Sequence, residues 1–218
     1  ARAMTINASG DSGSGNISAL GTPVVFNSAT TFGGSIAYDI NASKHLVAFR
    51  DSNNDGRGRV ATVSGTSISF GTEATFQTAT AYYISVTYDE AAQKHLVFHN
   101  RGFGDGKAVV GTISGTDVSY GTPVEISNAS SGNTSFAGAS YNPDANKTLI
   151  VLSDRAVAND TTTTLSACVG HIGTVSGTDI SFSSVNIFTT NPTRLSRVAY
   201  DTTNKRHLVV YGESGTGS

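Results

Sequence analysis

The feature that most constrains this chain is a repeat broken at one end of the sequence and completed at the other. Gly-Thr recurs at 21, 71 and 121 and opens three stretches that can be laid over one another at a spacing of 50 residues. The first reads GTPVVF, SIAYD, KHLVAFRD, GRVATVSGT and SISF; the second reads GTEATF, ISVTYD, KHLVFHN, KAVVGTISGT and DVSY. The third reads GTPVEI, AGASYN, KTLIVLSD, GHIGTVSGT and DISF, lengthened by ANDTTTTLSA before its His171 run. After Phe182 the pattern restarts as SSVNIF, SRVAYD and KRHLVVYGE and then stops half-way. Its second half stands at the beginning: Ala1–Asn7 (ARAMTIN) is laid against GRVATVS, and Ile17–Leu20 takes the place of SISF. Completing a broken repeat from the opposite terminus is what a linear chain needs in order to close a ring.

Each copy carries runs that alternate with period two, such as Ile84, Val86 and Tyr88 against Ser85, Thr87 and Asp89, the mark of strands with two different faces. Ser64-Gly65-Thr66, Ser114-Gly115-Thr116 and Ser176-Gly177-Thr178 supply the glycine that a tight hairpin needs at positive φ. Four-stranded units of this length, four in number, predict an all-β fold, a four-bladed β-propeller of antiparallel blades in one domain over 1–218. The blades are expected at about 21–70, 71–120, 121–182, and 183–218 together with 1–20. Split-end closure argues against a linear solenoid or an array of separate sandwiches.

The formal charge of -2 and pI near 6.2 supply no general attraction for phosphate backbones or anionic lipid, so no nucleic-acid partner is expected. No run of 18 apolar residues stands ready to span a bilayer, and no membrane insertion is expected. A single cysteine, Cys168, rules out an internal disulfide framework and any multi-cysteine zinc knuckle.

The phrase SGTxISFGTPVxF, followed by a YD corner and KHLVxxRD, resembles a tandem β-propeller repeat of secreted and phage tail-associated proteins. The resemblance implies an extracellular or virion-associated chain with a surface-binding role, and it carries over no catalytic residue. Trp is absent, and with it the WD40 signature and the tryptophan-bearing Asp-box of sialidases.

In such a ring one face receives the near-identical SGT turns and the corners DINASKH, DEAAQKH, NPDANKT and DTTNKRH. The opposite face receives connections that differ in length and chemistry, and recognition is assigned to it. Its candidate ligand-binding residues are Asp51, Asn53, Asp55, Tyr82, Tyr83, Arg101, Phe103, Arg155, Arg194 and Arg197. Asp51 to Gly56 matches the first half of a calcium loop, D-x-N-x-D-G, but Thr62 stands where the bidentate acid belongs, so no metal and no cofactor is expected. Tyr82, Tyr83 and Phe103 offer aromatic faces. Arg197 replaces Ser35, Ser85 and Gly138 on the strand nearest the axis, facing a channel of small residues.

His45, His95 and His207 share one repeat position with Thr148, and a structural bond to the Asp39, Asp89 or Asp201 corner is expected of them. No G-x-S-x-G elbow is present, and Cys168 and His171 fall on opposite faces of one strand. The reading is a non-enzymatic, lectin-like or adhesive module for a glycan or a surface protein. The alternatives are a structural assembly module and a glycosidase using carboxylates among Asp51, Asp105, Asp154 and Glu213.

Overall fold

A computed structural model describes residues 1–8, 17–101, 105–126, 135–154 and 166–213. Short strands open the chain: β1 (Arg2–Ala3), β2 (Ile6–Ala8), β3 (Ile17–Leu20) and β4 (Val24–Val25). A first sheet follows with β5 (Phe32–Asp39), β6 (Lys44–Arg50), β7 (Gly56–Ser64), β8 (Ser67–Phe70) and β9 (Ala74–Gln77). The second repeats it with β10 (Ala81–Asp89), β11 (Lys94–Arg101), β12 (Asp105–Ser114), β13 (Asp117–Tyr120) and β14 (Val124–Glu125). The third holds β15 (Ser135–Asn142), β16 (Lys147–Asp154), β17 (Ser166–Ser176) and β18 (Asp179–Phe182), and then come β19 (Asn186–Asp201) and β20 (Arg206–Glu213). All pairings are antiparallel, and the described residues contain no helix.

In each sheet the third strand pairs with two successive short strands on its outer edge, β7 with β8 and β9, β12 with β13 and β14. The sheets therefore divide after the Gly-Thr step, about ten residues later than the blade boundaries drawn at 70 and 120. Gly-Thr is the bend inside the outer strand. A Cβ on Gly21, Gly71 or Gly121 would run into the backbone carbonyl of Thr66, Thr116 or Thr178 in the neighbouring SGT turn. That carbonyl belongs to a two-residue hairpin and cannot swing aside, which explains why glycine recurs there. The SGT glycines themselves sit at φ of 58°, 61° and 62°.

The corner after each first strand is one motif repeated. Oδ1 of Asp39 accepts from the amides of Asn41 and Ala42; Asn142 and Asp201 do the same for Asp144 and Ala145, and for Thr203 and Asn204. The residue before each lysine or arginine, Ser43, Gln93, Asn146 and Lys205, takes a left-handed φ of 52–55°. These are Asx turns. The corner carboxyls are thus occupied by their own backbone, and the histidines turn elsewhere. His207 Nε2 lies 3.2 Å from the carbonyl of Ser140 in the preceding sheet, and the His95 ring faces the matching carbonyl of Ala37. Burial holds the His95 ring near a pKa of about 4, so it is neutral at pH 7.

Neighbouring sheets pack face to face. Leu46, Ala48 and Val60 meet Val86, Val97, Val109 and Val118, and one step on Leu96, Phe98 and Val110 meet Ile150, Leu152, Val169 and Ile180. A tyrosine caps each junction: Tyr88 OH accepts from Asn41 Nδ2 at 2.9 Å, Tyr141 OH accepts from Ala91 N at 3.2 Å, and Tyr200 OH donates to Asp144. Because β6 has a neighbour on both faces, Leu46, Val47, Ala48 and Phe49 are all buried.

The terminal strands differ from the expectation that Ala1–Leu20 complete the sheet of Leu195–Tyr211. β1 pairs with β4 and β2 with β3, while β20 pairs with β19 alone among the described residues. The first half of β19 is the outer edge of the third sheet and its second half the inner partner of β20. The N-terminal alignment also moves by two residues. Gly21 N bonds Thr5 O as Gly71 N bonds Val60 O, and Ile6 pairs with Leu20 as Ala61 pairs with Phe70. Ala1 is therefore the counterpart of Gly56 rather than Gly58. An even shift keeps every side chain on its face, which is why alternation could not separate the two registers.

Gly71→Ala is expected to cost about 1–3 kcal/mol, as overpacking does. Chemical denaturation would show it as a lower midpoint with an unchanged slope.

Candidate functional site

The inner strands β5, β10, β15 and the second half of β19 lie beside one another in that order and converge on one cavity of about 350 Å3. Their registers put Ser35, Ser85, Gly138 and Arg197 at one position, opposite Ala48, Phe98, Val151 and Val210. Small residues at three of these positions leave room between the strands, and Arg197 lines that space. Its Nη1 donates to the carbonyl of Ser196 at 2.8 Å. The Ser35 hydroxyl accepts from Val86 N at 3.0 Å and ties β5 to β10.

Each inner strand carries an irregularity just before that position, between Phe32 and Gly34, Tyr82 and Ser85, Phe136 and Gly138, and Arg194 and Ser196. Such a bulge bends the strand and re-aims a side chain. In β5 the extra residue is Gly33 at φ 57°; in β10 it is Tyr83 at φ 49°, 54% exposed and lining the cavity. The cavity lies toward the end where the variable connections enter, since the inner strands begin there.

Of the ten candidates from the sequence, the structure brings Tyr83 and Arg197 together in this cavity. Tyr82 packs elsewhere: the Arg50 guanidinium sits 4.4 Å from the Phe32 ring and 4.4 Å from the Tyr82 ring, a cation held between aromatics of two sheets. Arg50 was not among the sequence candidates, although its place between Phe49 and Asp51 at the variable end was visible. The backbones of Arg101 and Arg194 pair with Ala81 and Gly212. Their side chains, and all of Phe103 and Arg155, lie outside the described residues.

The calcium-like loop is tied internally. Oδ1 of Asp51 accepts from the amides of Asn53 and Asp55 at 2.8 and 2.9 Å, and Arg57 Nε lies 2.8 Å from Oδ2. Asp55 receives Arg57 Nη2 at 2.9 Å and the amide of Ala79 at 2.7 Å. Burial pushes the Asp51 carboxyl up, but Arg57 and the two amides outweigh it and hold the acid below its ordinary value. Asn53 enters through its backbone. The loop thereby anchors the start of β7 to the connection before β10. No cluster of three potential metal ligands occurs among the described residues.

Glu213 accepts from Thr189 Oγ1 at 2.8 Å and Asn191 Nδ2 at 3.1 Å, within its own ribbon. Cys168 is buried with Sγ 3.8 Å from Ser196 Oγ, and burial pushes its thiol up. His171 Nδ1 lies 3.1 Å from the Ser183 carbonyl.

No protein-family profile matches the chain, and no curated protein matches it in sequence. Its structure is similar to a crystal structure of a protein from Lactobacillus plantarum, with a TM-score of 0.51 and 14% identity over 88% of this chain. The chain spans 60% of that protein's length, and at this identity the likeness concerns the all-β fold alone.

Asp51→Ala is expected to destabilise the protein by about 1–3 kcal/mol, because buried donors lose their acceptor. Calcium at millimolar concentration is expected to leave the Tm of the unaltered protein unchanged in a thermal melt.

Proposed function

We propose that the chain is a four-bladed β-propeller and that it serves as a non-enzymatic, lectin-like or adhesive recognition module of a secreted or virion surface. The observation that carries the binding reading is the axial cavity, where four inner strands hold an arginine and an exposed tyrosine at the end of the variable connections. Rigid strands set the geometry there, and the loops around it are free to vary.

The ring is supported by the one junction that has only half of its parts. Tyr88, Tyr141 and Tyr200 each reach the corner of the preceding sheet, whereas their counterpart Tyr38 is 49% exposed. Leu208 and Val210 of β20 are 67% and 60% exposed, although Leu46 and Ala48, their counterparts, are fully buried. On the other side a groove of about 590 Å3 is lined by Ile36, Val47, Val63 and Ile68 together with Met4 and Ile6. Burying two such side chains stabilises by about 1.5–3 kcal/mol each.

Closure brings Tyr38 to the Asp201 corner and His45 to the Ala199 carbonyl. It pairs β20 with the N-terminal strands in the register of β6 with β7, Val210 opposite Ala3 and His207 opposite Ile6. The variant Ala3→Cys/Val210→Cys is expected to form a disulfide within the monomer under mild oxidation. Reduced monomer throughout would open the ring, and disulfide-linked dimers would favour the second reading, an assembly module whose apolar seam is covered by another copy.

Recognition is tested on an array of neutral and acidic glycans and on envelope preparations. Saturable binding that is lost on Tyr83→Gly/Arg197→Gln is the expected result, and binding that survives both changes would remove the axial site from the reading.

A further inference from the structure

We propose that the junction between the first and second sheets is an acid-operated latch: His95 and His99, sealed inside it, part the two sheets when they take up protons, while the junction between the second and third sheets stays shut. Both rings are fully buried. They stand on one face of β11 with Val97, which packs against Leu46, Ala48 and Val60 of the first sheet. The His95 ring lies 5.0 Å from the Tyr88 ring, and the His99 ring lies 5.3 Å from the ring of Phe76 on the outer strand β9. A charge formed in such a place loses its water. From the first sheet Asp39, Lys44 and Arg50 face this junction, with His45 on the far side of β6; from the second come Tyr88, Tyr120 and Lys107, the last paired with Glu125 at 3.3 Å. Asp39 favours a charge on His95, but its Oδ1 already accepts from the amides of Asn41 and Ala42, and His45 opposes it. Lys107 stands directly opposite His99 across β11 and β12, and its charge repels a second one. Burial first, and these cations after it, hold both imidazoles down to a pKa of about 4.

The repeat holds its own control. At the next junction Thr148 and Leu152 take the two histidine positions and Val169 takes that of Lys107, so no imidazole and no cation stands there. In the first copy Phe49 fills the place of His99. Packing therefore does not demand an imidazole at either position. Acid weakens one junction and leaves its neighbour as it was. Gly34 and Ser35 line the axial cavity from one side of the latch, and Tyr83 and Ser85 line it from the other, so parting the sheets takes the cavity apart, whatever it binds. A folded-state pKa below the unfolded value makes stability complete above the ordinary 6.5 and lost as the pH falls toward about 4. Between about pH 7.5 and about pH 5 each histidine is expected to favour the open form about thirtyfold.

The test uses the full chain with Cys168→Ser and one reporter thiol, Val97→Cys in the first junction or Ile150→Cys at the equivalent place in the second. Labelling by 4,4′-dithiodipyridine is followed at both pH values, each rate being divided by that of the urea-unfolded protein at the same pH. Val97→Cys is expected to react at least about tenfold faster in acid, reversibly, and Ile150→Cys to react no faster. His99→Phe and His95→Thr, the residues that the other copies hold, are each expected to reduce the acid gain at Val97→Cys and together to abolish it. In the unaltered chain, proton NMR of the imidazoles is expected to show both rings neutral down to about pH 5. Rings that titrate in the folded chain near the ordinary histidine value would overturn the proposal. So would an equal acid gain at both reporters, which marks general unfolding, or a gain that survives the double replacement.

Discussion

Everything in this structure depends on the packing of one sheet against the next. The second strand of each unit, KHLVAF in its first copy, is apolar on both faces, and a strand of that kind is stable only when both faces are covered. β6 and β11 satisfy this, and their leucines vanish from the surface. β20 carries nearly the same residues yet exposes Leu208, because nothing in the described structure lies on its far side. Closely similar local sequence with opposite burial shows that the requirement belongs to the junction rather than to the strand.

The polar contacts follow from that packing. Sheets stacked at fixed spacing bring Tyr88, Tyr141 and Tyr200 to the preceding corner and His207 to the preceding inner strand, so the same kind of side chain recurs from one junction to the next. The Asx corners turn their carboxyls inward on their own amides, which stiffens the turn and leaves the tyrosine hydroxyl to make the cross-sheet contact. In the proposed ring the same logic places the four inner strands around one axis. The site then arises from a departure from symmetry: where repetition alone would leave serine and glycine, one copy supplies arginine and another a tyrosine on a glycine's backbone.

Much of this was legible in the residues. Period-two runs, the SGT hairpins and the equivalence of Ser35, Ser85, Gly138 and Arg197 all recur in the pairings. The two-residue error at the N-terminus was less visible, since alternation is blind to even shifts; Ser9-Gly10 standing for Ser64-Gly65 was the signal that separates the registers. The loop from Asp51 to Gly56 was read for its oxygens, while Arg57, one residue beyond, decides what those oxygens do.

The amino-acid sequence by itself determined the strands, their order and the turns between them, because those depend on neighbours within a few residues: alternation, a glycine at positive φ, an aspartate capping its own corner. Tertiary structure alone decided where the sheets divide, which face of β20 is left open, and that Tyr83 and Arg197 share a cavity while Tyr82 does not. Those outcomes join separate strands, Tyr83 and Arg197 more than a hundred positions apart, and their physical cause is the pairing and stacking of whole sheets, whose geometry no short stretch of chain contains.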